Sequence, residues 1–205
     1  DALPIYKVLL ISSSEVGQRV AQHAAVIAAA RQAQVKLLAY TSLLHADRSP
    51  LGLAAEHQQT EALLRDSGLP VVVLRNGWYT ENYLANIPSA LEHGLLLGSA
   101  GEGRIASAAR ADYAEAAAIV LTRDQQAGLV YELAGDSGYT LAELAAEISR
   151  HAGRTIPYQD LPQGEFQSIL LGAGLPEGLA ALLADSDAGA SQGGAVGEFS
   201  GEADL

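Results

Sequence analysis

Three short runs of almost unbroken apolar character, at residues 7–12, 35–41 and 70–74, are separated by segments of helical periodicity. A strand that is apolar at successive positions, rather than at alternate ones, must be covered on both faces. Helices packed on either side of a parallel sheet supply that cover. Between the first two runs, Val16, Val20, Ala24 and Ile27 recur at roughly helical spacing and give residues 15–34 one apolar face. Residues 53–66 form a second helix, stopped at Gly68, the usual left-handed terminator. The pattern predicts an α/β fold with a doubly wound parallel sheet.

Further along, a short helical stretch reaches Leu91 and a glycine-rich turn region covers 94–103. Residues 112–122 then read as a helix with Asp112 at its N-cap. Residues 128–134 read as a fourth core strand, and 140–151 as a helix whose Thr140 and Glu143 fit a capping box. From Ile156 the pattern breaks into short pieces punctuated by Pro157, Pro162 and Pro176, with an apolar helix around Ile169, Leu170 and Leu171. Two parts are therefore expected: 1–135, which holds the strand-and-helix repeat, and 136–205, a small appended lobe. The stretch from Asp185 onward is rich in Gly, Ala and Ser and is expected to be poorly ordered.

Charge narrows the partners. The formal net charge is −12, which disfavours a polyanion such as nucleic acid. No apolar run approaches the ~20 residues that would cross a bilayer, so no membrane partner is expected. The absence of Cys rules out disulfides and zinc-thiolate sites and suits a cytoplasmic location. Met is also absent, even at position 1, so the sequence reads as a fragment or a processed form.

In an open parallel sheet, ligands bind beyond the carboxyl ends of the strands. The residues there are Ser12, Ser13 and Ser14, then Thr41 to His45, then Asn76 to Tyr79. They bring hydroxyl, amide and aromatic groups suited to a ribose and a carboxamide, although capping and turning the chain would use the same residues. Trp78, Tyr79 and Tyr83 cluster beyond the third strand and could wall a planar ligand, or Trp78 could plug the gap between sheet and lobe. No Gly-x-Gly-x-x-Gly loop, phosphate loop or His-Glu-x-x-His pair is present, and no Gly-x-Ser-x-Gly elbow follows one of the apolar strand runs, which disfavours a serine hydrolase or zinc peptidase. Gly98, Gly101 and Gly103 precede no helix and read as a plain turn. His57 and Glu61, four apart with Thr60 beside them, read as a solvated helix face.

The blocks LISSSEVGQR (10–19), AYTSLLHAD (39–47), RNGWY (75–79) and AARADY (108–113) closely resemble the NmrA-like, atypical short-chain dehydrogenase/reductase family of bacterial NAD(P)H:quinone oxidoreductases. The resemblance runs from about Lys7 to about Gly194. It implies that 1–135 are the remainder of an NAD(P)-binding Rossmann domain of strand order 3-2-1-4-5-6 in which residues 7–12 are the fourth strand, with three strands and the glycine loop lying before this sequence, and that 136–205 form a small substrate-binding lobe. The first strand here would then be an open, association-prone edge, and the isolated chain is expected to bind coenzyme feebly and to be inactive.

By position, the resemblance puts Ser12, Ser13 and Ser14 along the dinucleotide ribose and Thr41 and Ser42 near the nicotinamide. Asn76 and Gly77 fall at its carboxamide, with Trp78, Tyr79, Tyr83 and His45 around the substrate. The implied reaction is hydride transfer from NADPH (or NADH) directly to a quinone, with no flavin and no metal. The Tyr-x-x-x-Lys pair common in short-chain reductases is missing from 53–66, which leaves His57, Tyr40 or His45 to assist protonation. The family also admits a non-catalytic sensor of dinucleotide redox state, and it leaves room for a homodimer.

Overall fold

The computed structural model describes residues 6–191. In chain order the elements are β1 (Lys7–Leu10), α1 (Arg19–Gln32), β2 (Leu37–Leu43), α2 (Ala54–Asp66), β3 (Val71–Asn76), α3 (Thr80–Leu84) and α4 (Ile87–His93). They continue with β4 (Leu96–Gly98), α5 (Arg110–Thr122), β5 (Val130–Leu133), α6 (Leu141–Ala152), β6 (Tyr158–Asp160), α7 (Gln163–Gly172) and α8 (Glu177–Ser191).

Strands β1, β2, β3 and β5 form one sheet in that order, all parallel, with Leu10 opposite Tyr40 and Tyr40 opposite Val73. The pleat sends alternate residues of β2 to opposite layers. Leu38 and Tyr40 pack with Ile27, Ala30 and Leu64 beneath α1 and α2. Leu37 and Ala39 pack with Val72, Leu74, Tyr113, Ala117 and Val120 beneath α5. Leu38, Tyr40, Val72, Leu74 and Val120 are fully buried. Large side chains of this kind contribute about 1.5–3 kcal/mol each on burial, so these two layers hold the sheet together. Among the described residues β1 pairs with β2 alone, and Ile11 and Val16 beyond it are exposed.

Helix α1 starts later than its periodicity suggests. Residues 15–18 form a turn closed by Gln18 N–H and Arg19 N–H on the Glu15 carbonyl, with Gly17 at φ +85°. Its buried stripe is accordingly Arg19, His23, Ile27 and Ala30, in place of Val16, Val20, Ala24 and Ile27. Asp112 is not the N-cap of α5. It sits inside the first turn, where its Oδ2 accepts from the Ala109 N–H at 3.0 Å. The capping box of α6 forms as expected, Thr140 Oγ1 accepting from Glu143 N–H and Glu143 Oε2 from Thr140 N–H.

The glycine-rich region holds a strand where only a turn was expected. β4 pairs in parallel with β6, Leu96 opposite Tyr158. Helix α8 extends through Asp185 as far as Ser191, where the composition suggested loss of order, and residues 192–205 lie outside the described residues. The glycines of 98–103 admit this helix, since a methyl group on Gly103 would collide with the Ala190 carbonyl. Gly103→Ala should therefore destabilise the chain by about 1–3 kcal/mol in urea denaturation. Gly164→Ala in α7, with open space around its α-carbon, should leave stability unchanged or raise it by up to about 1 kcal/mol.

Candidate functional site

The carboxyl ends of β1, β2 and β3 meet at a cleft against α5. Thr41 and Asn76 project to the α5 side of the sheet and border a cavity of about 340 Å³ with Leu9, Ile11, Tyr79, Arg110 and Tyr113. Ser12 joins them, its N–H donating to Thr41 Oγ1 at 2.8 Å. Gly77 makes the close approach that this corner needs. A methyl there would lie 3.2 Å from both the Leu133 carbonyl and the Tyr113 hydroxyl. Two buried polar atoms at this strand end have no partner, Asn76 Oδ1 and Trp78 Nε1. Unsatisfied groups of this kind are uncommon and mark a place where a ligand can supply the missing bond.

The serine turn is fixed from below by a polar layer that periodicity did not expose. Ser13 N–H donates to His23 Nε2 at 3.0 Å, so that nitrogen carries no proton. Its Nδ1–H then donates to Thr60 Oγ1, which passes its own hydroxyl proton to the Glu56 carbonyl. Arg19 donates to the Ser13 carbonyl at 2.6 Å and pairs with Glu56, which also accepts from Gly17 N–H. Burial, reinforced by Arg19, lowers the His23 pKa and keeps the ring neutral. Ser14, at the outer end of the turn, is exposed.

Tyr40 and His57, the expected proton donors, meet in this same layer, Tyr40 Oη lying 2.8 Å from His57 Nδ1. Tyr40 is fully buried and His57 is 3% exposed, so the pair packs between sheet and helices. Burial pushes the Tyr40 phenol well above its usual range. Burial, with Arg19 and His23 adding to it, pushes His57 down to about 3. The helix face carrying His57 is thus not a solvated one.

Ser42 points away from Thr41, as adjacent strand residues must, and its hydroxyl donates to Glu61 Oε1 at 2.6 Å. Glu61 takes a two-pronged bond from Arg75, whose guanidinium also reaches Asp47 and Glu132. Glu61 first, and Glu132 after it, raise the pKa of this guanidinium against the opposing effect of burial. His45 belongs to this group, its N–H donating to Glu132 at 2.8 Å. The aromatic trio is likewise divided. Tyr79 faces the cleft, stacked edge-on to Tyr113 and covered by Arg110. Trp78 and Tyr83 face the core between the sheet and the second lobe, with Leu51, Ile105, Leu141 and Ala190. Among the described residues no His/Asp/Glu group is placed to hold a metal ion, and no helix is long and apolar enough to cross a membrane.

Parallel strands wound with helices, a largely apolar cleft with a few polar groups at their carboxyl ends and a small lobe beyond it define a Rossmann-type protein of the short-chain reductase class. No protein-family model matches the sequence. It is 60% identical over 190 residues to quinone oxidoreductase 2 of Escherichia coli K12, an alignment taking in 93% of this chain and 66% of that protein. The crystal structure of an E. coli NADPH-dependent quinone oxidoreductase complexed with NADPH superposes with a TM-score of 0.91 at 59% identity. That match covers 95% of this chain and 68% of that one. Citrobacter sp. triphenylmethane reductase complexed with NADP(H) matches with a TM-score of 0.90 at 33% identity, over 96% of this chain and 70% of that one. The chain belongs to the NmrA-like short-chain reductase family that includes quinone oxidoreductase 2, and it spans about two thirds of these relatives' length.

The buried imidazole makes stability depend on pH. His57 has a folded pKa near 3 against an ordinary 6.5, so below 6.5 the unfolded chain takes up a proton that the folded chain refuses. The contribution is complete above about pH 6.5 and drains away as the pH falls toward 3. His57→Gln should lower stability at neutral pH by about 1–3 kcal/mol through the disturbed Tyr40 hydroxyl. It should also flatten the acid loss, a difference read from urea midpoints at about pH 7 and about pH 4.5.

Proposed function

We propose that the protein carrying this sequence is an NADPH-dependent quinone reductase that passes hydride from nicotinamide directly to a quinone, with neither flavin nor metal. The observation that carries the reading is the unpartnered Asn76 Oδ1, buried at the end of β3 in a cleft shared with Thr41 and Tyr79. Its open acceptor suits the amide N–H of a carboxamide. Ser12 and Thr41, already joined to each other, fit ribose hydroxyls, and Gly77 leaves the backbone accessible beside them. Similarity to the NADPH-complexed E. coli enzyme supports the choice of coenzyme and of a quinone acceptor.

When bound, reduced nicotinamide supplies the hydride. The chain's own task is to hold and orient. Ser13 and Ser14 extend the polar rim, with Ser13 anchored by His23 and Arg19. Tyr79 offers an aromatic wall on the cleft side, and Trp78, packed against Tyr83 between the sheet and the second lobe, backs the end of β3. No acid is needed in contact with the acceptor. A quinone that gains hydride becomes a delocalised hydroquinone anion that takes its proton from water, whereas a simple ketone would leave an alkoxide demanding a positioned donor. Tyr40, with its proton held tightly in the core, is the wrong acid for such a donor. Proximity then supplies most of the acceleration.

Assayed as the complete gene product, the protein should oxidise NADPH on addition of benzoquinone, followed by loss of absorbance of the reduced coenzyme. Asn76→Ala should raise the KM for NADPH about tenfold, the loss of one buried hydrogen bond. NADPH binding with no quinone-dependent oxidation would favour a redox sensor and overturn the reductase reading.

A further inference from the structure

Helix α8 buries a carboxylate that the cleft chemistry does not use. Asp187 is 4% exposed, among the small residues Ala184, Ser186, Gly189 and Ala190. Its Oδ1 accepts from the Tyr83 hydroxyl at 3.0 Å and its Oδ2 from the Ser99 N–H at 3.0 Å. The chain makes room for it at Gly98, where a methyl would lie 2.8 Å from Asp187 Oδ2 and 2.7 Å from Leu141 Cδ1. Burying a carboxylate is costly unless hydrogen bonds compensate it, and here two donors meet it from two other segments. Burial lifts its pKa to about 6, with Ser99 N–H and the Tyr83 hydroxyl pulling the other way and the Asp160 carboxylate adding to the rise.

What the carboxylate holds is the ring behind Trp78. Tyr83 is 6% exposed, and its ring centroid lies 6.0 Å from that of Trp78 at an interplanar angle of 53°. Trp78 follows directly on Asn76 and Gly77, beside the end of β3. Two residues to either side of Asp187 along α8, Gly189 lies against Leu51, and Asp185 accepts from Gly52 N–H at 3.0 Å. Helix α8 thus grips the loop after β2 as well as the second lobe.

We propose that Asp187 is a positioning residue for quinone reduction, fixing Tyr83 and, through it, the Trp78 ring packed between the sheet and the second lobe beside the end of β3. This rests on the reductase reading above. The residue touches neither coenzyme nor acceptor, so it acts on the fit of the quinone and leaves the coenzyme contacts intact.

The test compares Asp187→Ala, Asp187→Asn and Tyr83→Phe in the complete gene product, with Asp185→Asn as control. Trp78 emission is isolated by difference against Trp78→Phe. Asp187→Ala should raise the KM for benzoquinone about tenfold with the KM for NADPH unchanged. It should also shift Trp78 emission to the red and increase its quenching by acrylamide. Tyr83→Phe, which removes one hydroxyl and keeps the ring, should move both readouts less and in the same direction. Asp187→Asn, which keeps one acceptor oxygen, should recover part of the loss, and Asp185→Asn should leave Trp78 emission unchanged. If Asp187→Ala does not fold, Tyr83→Phe and Asp187→Asn decide the matter. Unaltered Trp78 emission in these variants, or equal rises in both KM values, would overturn the proposal. An inactive parent protein with the emission changes intact would overturn the reductase reading alone and leave the Asp187 clamp standing.

Discussion

The structure depends on the two-sided burial of β2. Its side chains alternate between a layer under α1 and α2 and a layer under α5, and a one-residue slip would exchange Leu38 and Tyr40 with Leu37 and Ala39. That register also sorts the polar residues at the strand's carboxyl end. Thr41 is delivered to the cleft and Ser42 to the Arg75 group, from adjacent positions in one chain. The chemistry of the site is set by the parity of a strand.

The parity rule explains what could be read from sequence and what could not. Unbroken apolar runs announced three strands, and Gly68 and the Thr140–Glu143 pair announced helix ends. The site's inner support was hidden because it is polar and buried. Arg19, His23 and Thr60 resemble surface residues in composition, and only their positions on the inward stripes of α1 and α2 distinguish them. A charged residue inside an apolar strand, Arg75, was the available clue to its group of carboxylates. Trp78 and Tyr79 could be read as one wall or with Trp78 plugging the gap between sheet and lobe; neighbours in extended backbone face opposite ways, and Trp78 packs in that gap. Asp187 lay in a segment whose small residues suggested disorder, when they are what lets a helix backbone approach Gly103 so closely.

The site is poor in acids and rich in anchors. Tyr40 and His57 occupy each other in the core, and the serine turn is held by a histidine locked in one tautomer. A cleft organised in this way favours acceptors that need little help with their protons. Its selectivity then falls on shape and on the aromatic residues at the end of β3.

Helix α8 bonds to residues far back in the chain, from Gly52 across 133 positions and from Tyr83 across 104. Contacts that distant close large loops and form late, after local helices and neighbouring strands have settled. During synthesis from the N-terminus, the sheet can assemble while the ring of Trp78 still lacks its backing. Competence would arrive late, as α8 leaves the ribosome and seats its hidden acid, so a chain stalled a few residues short of Asp187 would carry the sheet without the finished pocket.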